Sequence, residues 1–316
     1  MGALLVVLAV LSGCGARSTA SGSTHAVVDS TGASVRVPET VNRVADGWPA
    51  HNEVDLMLGA GHKIVSSILT PSSVPWLYVV DPSLARAKLD FTSTSVNVES
   101  LLTTKPDVLF TDAAAPLSPD TTTLGVPDVQ LGFQTFSGLK TTVSKTAQVL
   151  GGGAPAIAAQ YNSYLNSKVA SISAVTSKIP EAQRPSVLHI YSLDPLVVDG
   201  TNTIIDQWIT LAGGRNAAQV SGATKQVTEE QVAQWNPDVI VLASSAFEAS
   251  NTGQQTIAQL ESSPFWSQLP AVVDHHVYVN PTGGWRTGTA TGSRRHCRSS
   301  GQPRRSTPLS SARSTW

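Results

Sequence analysis

A pattern that occurs twice in this chain of 316 residues constrains its fold more than any other feature. Glu99 begins a short amphipathic segment that ends at Pro106-Asp107 and leads directly into the apolar run Val108–Phe110. The same order of features returns from Glu230 onward: an acidic residue, a short helical segment, Pro-Asp and an apolar strand. A Pro-Asp pair alone is common, but the whole pattern at equivalent points of two halves indicates two related lobes.

Segments with strand and helix patterns alternate within both halves, which is typical of βα units around a mostly parallel sheet. Between the halves, the stretch from Pro155 to Pro180 contains no internal Gly or Pro, and apolar residues recur along it at helical spacing. A helix of about 25 residues is about 37 Å long, the diameter of a domain. We therefore predict a rigid connecting helix over 154–180, between an N-terminal lobe at 26–153 and a C-terminal lobe at 181–286.

The N-terminus predicts export and lipidation. An apolar stretch too short to span a bilayer ends in Leu11-Ser12-Gly13-Cys14, which resembles the lipobox of bacterial lipoproteins. We expect residues 1–13 to be a signal peptide, Cys14 to carry the lipid and the Gly/Ser/Thr-rich stretch 14–25 to be a flexible tether. The alternative is an ordinary secretory peptide with a stray cysteine. Since Cys297 is the only other cysteine, acylation of Cys14 leaves no internal disulfide.

The composition excludes several classes of protein. With 41% hydrophobic and 14% charged residues, the chain is too apolar to be disordered and too poor in charge for a coiled coil. The net charge of −1 argues against nucleic-acid binding, and no apolar run predicts a transmembrane helix. Seven arginines follow Asp274, the last acidic residue. The stretch 287–316 is rich in Thr, Gly, Ser, Arg and Pro, which predicts disorder and, because the change is abrupt, favours a frameshifted reading frame.

Catalytic and metal-binding patterns are missing from the sequence. It contains no G-x-S-x-G, H-E-x-x-H, C-x-x-C or phosphate-binding loop, so we expect no catalytic residue and no cofactor. Bare metal ions need three or four convergent ligands, and of the seven histidines only His51 and His189 fall near predicted strand ends. A zinc or manganese receptor is therefore disfavoured, and no directly bound metal is expected. A lipid-anchored hydrolase is the alternative from a different functional class.

Taken in order and spacing, the motifs resemble class III substrate-binding proteins of ABC importers, which serve ferric siderophores, haem and cobalamin. The likeness covers about residues 26 to 283 and ends before the C-terminal helix that the family packs on its second lobe. The segments that carry it are Asn42-Arg43-Val44, Leu58-Gly59-Ala60-Gly61, Val98-Glu99, Lys105-Pro106-Asp107-Val108, Leu124-Gly125-Val126-Pro127, Ala212-Gly213-Gly214-Arg215-Asn216, Thr228-Glu229-Glu230-Gln231, Asn236-Pro237-Asp238-Val239-Ile240 and Trp266-Ser267-Gln268-Leu269-Pro270.

The resemblance implies an α/β fold of two Rossmann-like lobes joined by one long rigid α-helix, with a ligand cleft between them. It implies a monomeric receptor on the extracytoplasmic face of the cell membrane that delivers an iron–siderophore complex, or cobalamin or haem, to an ABC permease dimer. The bound ligand would be a metal chelate. In the family, glutamates matching Glu99 and Glu230 pair with arginines of the permease, one in each lobe. The alternative role for both is compensation of the helix dipole.

Ligands of open α/β lobes bind beyond the carboxyl ends of the strands. Trp48 and His51 follow the first such strand of the N-terminal lobe, although Trp48 packing under its loop and His51 capping the next helix is the alternative. Trp76 and Tyr78 are predicted in a proline-bounded loop near the same rim. An aromatic-lined mouth suits a large, flat ligand. The full set of expected cleft residues is Trp48, His51, Trp76, Tyr78, Thr94, Asp112, Tyr191, Asp194, Ser245, Phe247 and Trp285.

Overall fold

Strands and helices alternate along the chain, as the sequence predicted. The computed structural model describes residues 23–92, 94–115, 117, 124–243 and 253–280. Its strands are β1 (Thr24–Val28), β2 (Ser34–Pro38), β3 (Val44–Asp46), β4 (Ile64–Ser67), β5 (Lys88–Leu89), β6 (Val108–Asp112), β7 (Asp128–Leu131), β8 (Ser186–Leu193), β9 (Leu196–Val198), β10 (Arg215–Asn216), β11 (Lys225–Gln226), β12 (Val239–Leu242) and β13 (Val277–Val279). Its helices are α1 (Pro49–Met57), α2 (Pro75–Val80), α3 (Val98–Thr103), α4 (Phe136–Leu150), α5 (Ala154–Thr176), α6 (Ile204–Leu211), α7 (Glu229–Trp235), α8 (Gly253–Ser262) and α9 (Pro270–Val273).

The N-terminal lobe is built on a five-stranded parallel sheet in the order β5-β4-β3-β6-β7. Every residue of β3 is buried, and so are the first four of β6, because helices cover both faces of the sheet. Val44 and Phe110 face α1 and α4, whereas Ala45 and Leu109 pack in the cluster that contains Leu101 of α3. The hairpin of β1 and β2 precedes this sheet.

The C-terminal lobe repeats this plan around β8. Its sheet has the order β11-β9-β8-β12-β13, in which β8, β12 and β13 are parallel and β9 is antiparallel to β8. Leu188 and Ile240 point into a core that α7, α8 and α9 cover, and Val187 points to the other face. In both lobes the strand order reverses beside the first central strand, β3 or β8. Ligands of open α/β sheets bind at such a point.

The repeated Pro-Asp pair has the same structural role in each lobe. Asp107 Oδ2 accepts hydrogen bonds from the backbone N–H groups of Asn42 (2.8 Å) and Arg43 (2.9 Å), just before β3 begins. Asp238 Oδ2 accepts from the backbone N–H (2.7 Å) and the hydroxyl (2.8 Å) of Ser186, the first residue of β8. Each aspartate therefore ties the start of β6 or β12 to the start of the neighbouring central strand.

The connecting helix α5 is 23 residues long, in agreement with the sequence prediction. Ala154 and Ala158 are buried in a hydrophobic cluster that also contains residues of α4 and, from the C-terminal lobe, Val187 and Ile209. The backbone N–H of Phe136 donates to Gln207 Oε1 (2.8 Å), which joins α4 to α6 directly. The two lobes thus share one continuous core around α5. Within the described residues, no helix is both long enough and apolar enough to cross a bilayer.

Two expectations about chain segments are corrected. The stretch 14–25 was predicted to be a tether, but β1 already begins at Thr24 and pairs with β2. Trp76 and Tyr78 were predicted in a loop, whereas Pro75 occupies the first position of α2, where a proline is well tolerated and its fixed φ favours a helix. The predicted signal peptide, Cys14 and the tail 287–316 lie outside the described residues.

Candidate functional site

An aromatic pair lies at the carboxyl edge of the N-terminal sheet. Trp48 follows β3 and Phe133 follows β7, and their ring centroids are 5.3 Å apart with the planes tilted by 46°. Both side chains are half-buried and pack against the lobe core. Phe133 was not among the expected cleft residues, although the same strand-end reasoning applied to Gly132-Phe133 would have found it. The pair forms an apolar surface at the edge where α/β lobes bind ligands.

Hydrogen bonds fix the position of Trp48. Its backbone N–H donates to Asp46 Oδ1 (2.9 Å), and its carbonyl accepts from Asn52 Nδ2 (3.0 Å). Asn52 also donates to the carbonyl of Asp46 (3.2 Å). Because Pro49 starts α1 immediately afterwards, the loop is held from both sides. Trp48 is thus presented on a pre-organised turn.

The same polar network reaches a second segment of the rim. The Ser67 hydroxyl at the end of β4 donates to Asn52 Oδ1 (2.6 Å) and accepts from the N–H of Leu69 (3.0 Å). The Leu69 carbonyl accepts from the Tyr78 hydroxyl (2.8 Å), and burial raises the pKa of Tyr78. The segments that carry Trp48 and Tyr78 are therefore connected through buried groups.

His51 does not reach the cleft, so this expectation is corrected. Its side chain is 0% exposed, with Nδ1 2.9 Å from Asp46 Oδ2 and Nε2 2.7 Å from the Thr146 hydroxyl. Burial lowers the pKa of His51, so the ring is neutral. His51 lies in the first turn of α1 on the face that packs against the sheet and α4, and its partner on α4 is remote in sequence.

Three buried groups beneath Trp48 are close enough to bind one metal ion. Single ligand atoms of Asp46, His51 and Asp55 all lie within 4.8 Å of one another. Burial is the largest effect on the pKa of both Asp46 and Asp55, and it raises each well above the usual value for an aspartate. Sequence reasoning did not single out Asp46 and Asp55 as ligands, because a strand end and a helix face converge only in the fold.

The structure places the other expected cleft residues in different elements and at different degrees of exposure. Asp112 ends β6, accepts from the N–H of Ala114 (2.8 Å) and is half-buried, which raises its pKa. Tyr191 is 44% exposed just beyond the parallel part of β8, and Asp194 is exposed in the β8–β9 turn. Thr94 is exposed, and Trp76 is 59% exposed on α2. Ser245, Phe247 and Trp285 lie outside the described residues.

Glu99 and Glu230 occupy matching positions in the two lobes. Each is the second residue of its helix and is exposed. Asn97 caps α3 by accepting from the N–H of Ser100 (3.1 Å), and Thr228 forms a capping box with Gln231 on α7. Both helices return the chain from the carboxyl edge of a sheet to the start of its next strand. Both glutamates therefore lie on the cleft side of their lobes. Hydrogen bonding to Thr228 lowers the pKa of Glu230.

Comparison with known proteins identifies the family. The family model for periplasmic binding proteins matches residues 47–282. The chain belongs to the periplasmic binding protein family. A relative from Bacillus subtilis (strain 168), named as the uncharacterized ABC transporter substrate-binding lipoprotein YvrC, is 26% identical over 302 residues, 88% of each chain. This periplasmic binding protein is therefore a substrate-binding component of an ABC transporter.

Solved structures agree on the fold. MolA from Haemophilus influenzae, determined with molybdate, superposes with a TM-score of 0.71 at 20% identity and covers 82% of this chain and 83% of its own. The haem-binding protein RhuT from Roseiflexus sp. RS-1 gives a TM-score of 0.62 at 20% identity over 76% of this chain and 89% of its own. These likenesses confirm the class III architecture of two lobes and a long helix that the sequence predicted.

Proposed function

We propose that this periplasmic binding protein captures an iron chelate of the siderophore type. The observation that carries the proposal is the half-buried pair of Trp48 and Phe133 at the cleft edge of the N-terminal lobe. Aromatic faces bind the apolar periphery of a large chelate because the contact buries apolar surface area and the shapes are complementary. In the described strand-end segments 47–48, 68–74, 112–115 and 132–134 there is no Lys or Arg. A small oxyanion or a strongly anionic chelate has little to hold it there.

Cobalamin and haem are the alternative ligands within the same architecture. RhuT is a haem-binding protein, and MolA was solved with molybdate, so relatives of one fold bind chemically different solutes. Asp112 adds a half-buried carboxyl group to the rim. That group favours a neutral or cationic chelate over one whose edge carries carboxylates.

We further propose that Cys14 carries the lipid that holds the receptor at the extracytoplasmic face of the membrane. The lipobox-like sequence before Cys14 supports this, and the Bacillus relative is named a lipoprotein. Glu99 and Glu230 then dock the loaded protein on the permease. Their exposed, equivalent positions on the cleft sides of two lobes suit a permease with two-fold symmetry.

A binding panel tests the ligand. The full chain is mixed with ferric hydroxamate and ferric catecholate siderophores, cobalamin, haem and molybdate, and complexes are identified by native mass spectrometry. Binding is then titrated by tryptophan fluorescence. We expect a ferric siderophore to bind, with a change in tryptophan emission. Binding of molybdate with none of the chelates bound would contradict the proposal.

Substitution of Trp48 tests the location of the binding site, whatever the identity of the ligand. Trp48→Leu removes the aromatic face. We expect this variant to lose about 1.4 kcal/mol of binding free energy, which is about tenfold weaker binding of whichever chelate the panel identifies. Tyr164→Leu is the matched control, since Tyr164 is an exposed aromatic residue on α5. Equal affinities of the two variants would place the ligand away from Trp48.

A further inference from the structure

Asp46, His51 and Asp55 form a cluster that the transport function does not use, and we call it the buried triad. Asp46 is the last residue of β3, and His51 and Asp55 are four residues apart on one face of α1. All three side chains are 0% exposed. His51 Nδ1 lies 2.9 Å from Asp46 Oδ2 and 3.9 Å from Asp55 Oδ2.

The hydrogen bonds of Thr146 determine what His51 offers to the triad. The Thr146 hydroxyl lies 2.9 Å from the Thr142 carbonyl and 2.7 Å from His51 Nε2, and when it donates its single hydrogen to the carbonyl it accepts from Nε2. In that arrangement Nε2 carries the hydrogen of the neutral ring, and Nδ1 directs a lone pair at the Asp46 carboxyl group. Two acceptors facing each other at 2.9 Å need a proton or a cation between them.

The surroundings of Asp55 favour a cation over a shared proton. Both of its oxygens are buried, and within the described part of the chain neither has a hydrogen-bond partner. The Asp46 carboxyl group and His51 Nδ1, at 3.9 Å, are polar neighbours of Asp55. A shared proton satisfies one Asp55 oxygen and leaves the other without a partner, which is costly in the interior. A cation held by this carboxylate satisfies both oxygens.

The charges of the triad also match a divalent ion. Two carboxylates and a neutral imidazole balance two positive charges, so a bound dication leaves the interior neutral. The charge of the nearby Lys63 lowers the pKa of Asp55, but its Nζ donates to the Val41 carbonyl (2.8 Å) and makes no hydrogen bond to Asp55. Imidazole suits first-row transition metals, and carboxylates accept the same ions. Thr146 orients His51, and the Trp48 N–H orients Asp46, as outer groups do around metal ligands.

We propose that the buried triad binds one divalent first-row transition-metal ion, such as Zn²⁺, as a structural site of the N-terminal lobe. This ion is distinct from the transported solute, since the triad is closed to solvent and the ion is incorporated as the lobe folds. By joining the end of β3 to α1, it fixes the turn that presents Trp48. The proposal stands whatever ligand the cleft takes.

Refolding with and without metal tests the site. The full chain is unfolded in guanidinium chloride with a chelator and refolded with Zn²⁺ or with the chelator alone. Free metal is removed, and bound zinc is measured by inductively coupled plasma mass spectrometry. We expect about one zinc per wild-type chain and a higher Tm than for the chelator-refolded protein. Co²⁺ in place of Zn²⁺ should give visible d–d absorption, which reports coordination in the wild type directly.

The control is a second buried aspartate bonded to a histidine. Asp199 Oδ2 lies 2.8 Å from His189 Nδ1, but that pair has a single carboxylate. We expect Asp55→Asn to retain less than about a tenth of the wild-type zinc, and Asp199→Asn to retain all of it. The proposal would be overturned if the wild-type chain refolded with Zn²⁺ held no zinc and the chain refolded with Co²⁺ showed no d–d absorption. Equal zinc in Asp55→Asn and wild type, or equal loss in both variants, would also overturn it.

Discussion

Single aspartates fix the two central strands of the molecule. Asp238 accepts two hydrogen bonds from Ser186 at the start of β8, and the backbone N–H of Ser186 lowers the pKa of this carboxyl group. A carboxyl group whose pKa is lower in the folded state stabilises the fold at pH values above its unfolded pKa of about 3.9. This contribution is lost as the pH falls through the folded pKa.

We therefore expect Asp238→Asn to lower the free energy of unfolding by about 1 kcal/mol at pH 7, a modest value because Asp238 is largely exposed. The difference from wild type should shrink as the pH falls below about 3.9, where Asp238 of the unfolded chain protonates, and it should vanish below the lower pKa of the folded state. Urea unfolding at a series of pH values measures both quantities. Asp274→Asn is the control, because the Asp274 side chain is exposed and makes no hydrogen bond or ion pair with the described residues. A difference independent of pH would show that the amide fails for steric reasons.

Residues near strand ends show how far sequence reasoning reaches. Trp48 was found because it directly follows an apolar strand, and it does lie at the carboxyl edge of the sheet. His51 was assigned to the same surface, yet the turn of α1 directs it inward to Thr146, which is 95 residues away in sequence. Asp55 resembles an ordinary polar residue of an amphipathic helix. Side-chain direction and long-range partners decide these cases, and neither is visible in local sequence.

At the scale of elements, the repeated helix–Pro-Asp–strand unit was predictable because its features are local. α3 and α7 begin at caps that the sequence displays, Asn97 and Thr228, and each leads into a central strand. α2 was missed because its six residues are bounded by prolines, and four of its side chains are exposed, so its pattern resembles a loop. Short elements with little burial carry a weak periodic signal.

The two repeated helices carry the docking prediction. Alanine at Glu99 or Glu230 should cost little stability, because each side chain is exposed at a helix start. The double alanine variant should reduce uptake far more than either single variant, since two weak contacts engaged together gain from effective concentration. Lysine at both positions should be worse through repulsion. Ligand affinity and stimulation of permease ATPase activity are compared for each variant. Reduced affinity with unchanged stimulation would assign the glutamates to the cleft instead.

At the scale of the whole molecule, the two lobes are coupled by more than one helix. The hydrophobic cluster around α5 contains Phe110 of the first sheet and Ile209 of α6, and the Phe136 N–H bonds to Gln207 across the lobes. Bending α5 would break several internal hydrogen bonds and open this shared core. The sequence predicted the helix, but the shared core depends on Ile204, Ile205 and Ile209, whose spacing is equally typical of a helix packed within one lobe.

A rigid connector predicts little closure on ligand binding, unlike a receptor hinged on flexible strands. Small-angle scattering curves of the wild type with and without its chelate should therefore agree within error. Ala170 is exposed in the second half of α5, so Ala170→Pro interrupts the helix at a cost of about 3 kcal/mol without removing a core contact. Ligand should compact this variant measurably, whereas Ala170→Ser should behave like the wild type. If the wild type compacts as much as the proline variant, α5 does not limit the closure of the lobes on ligand binding.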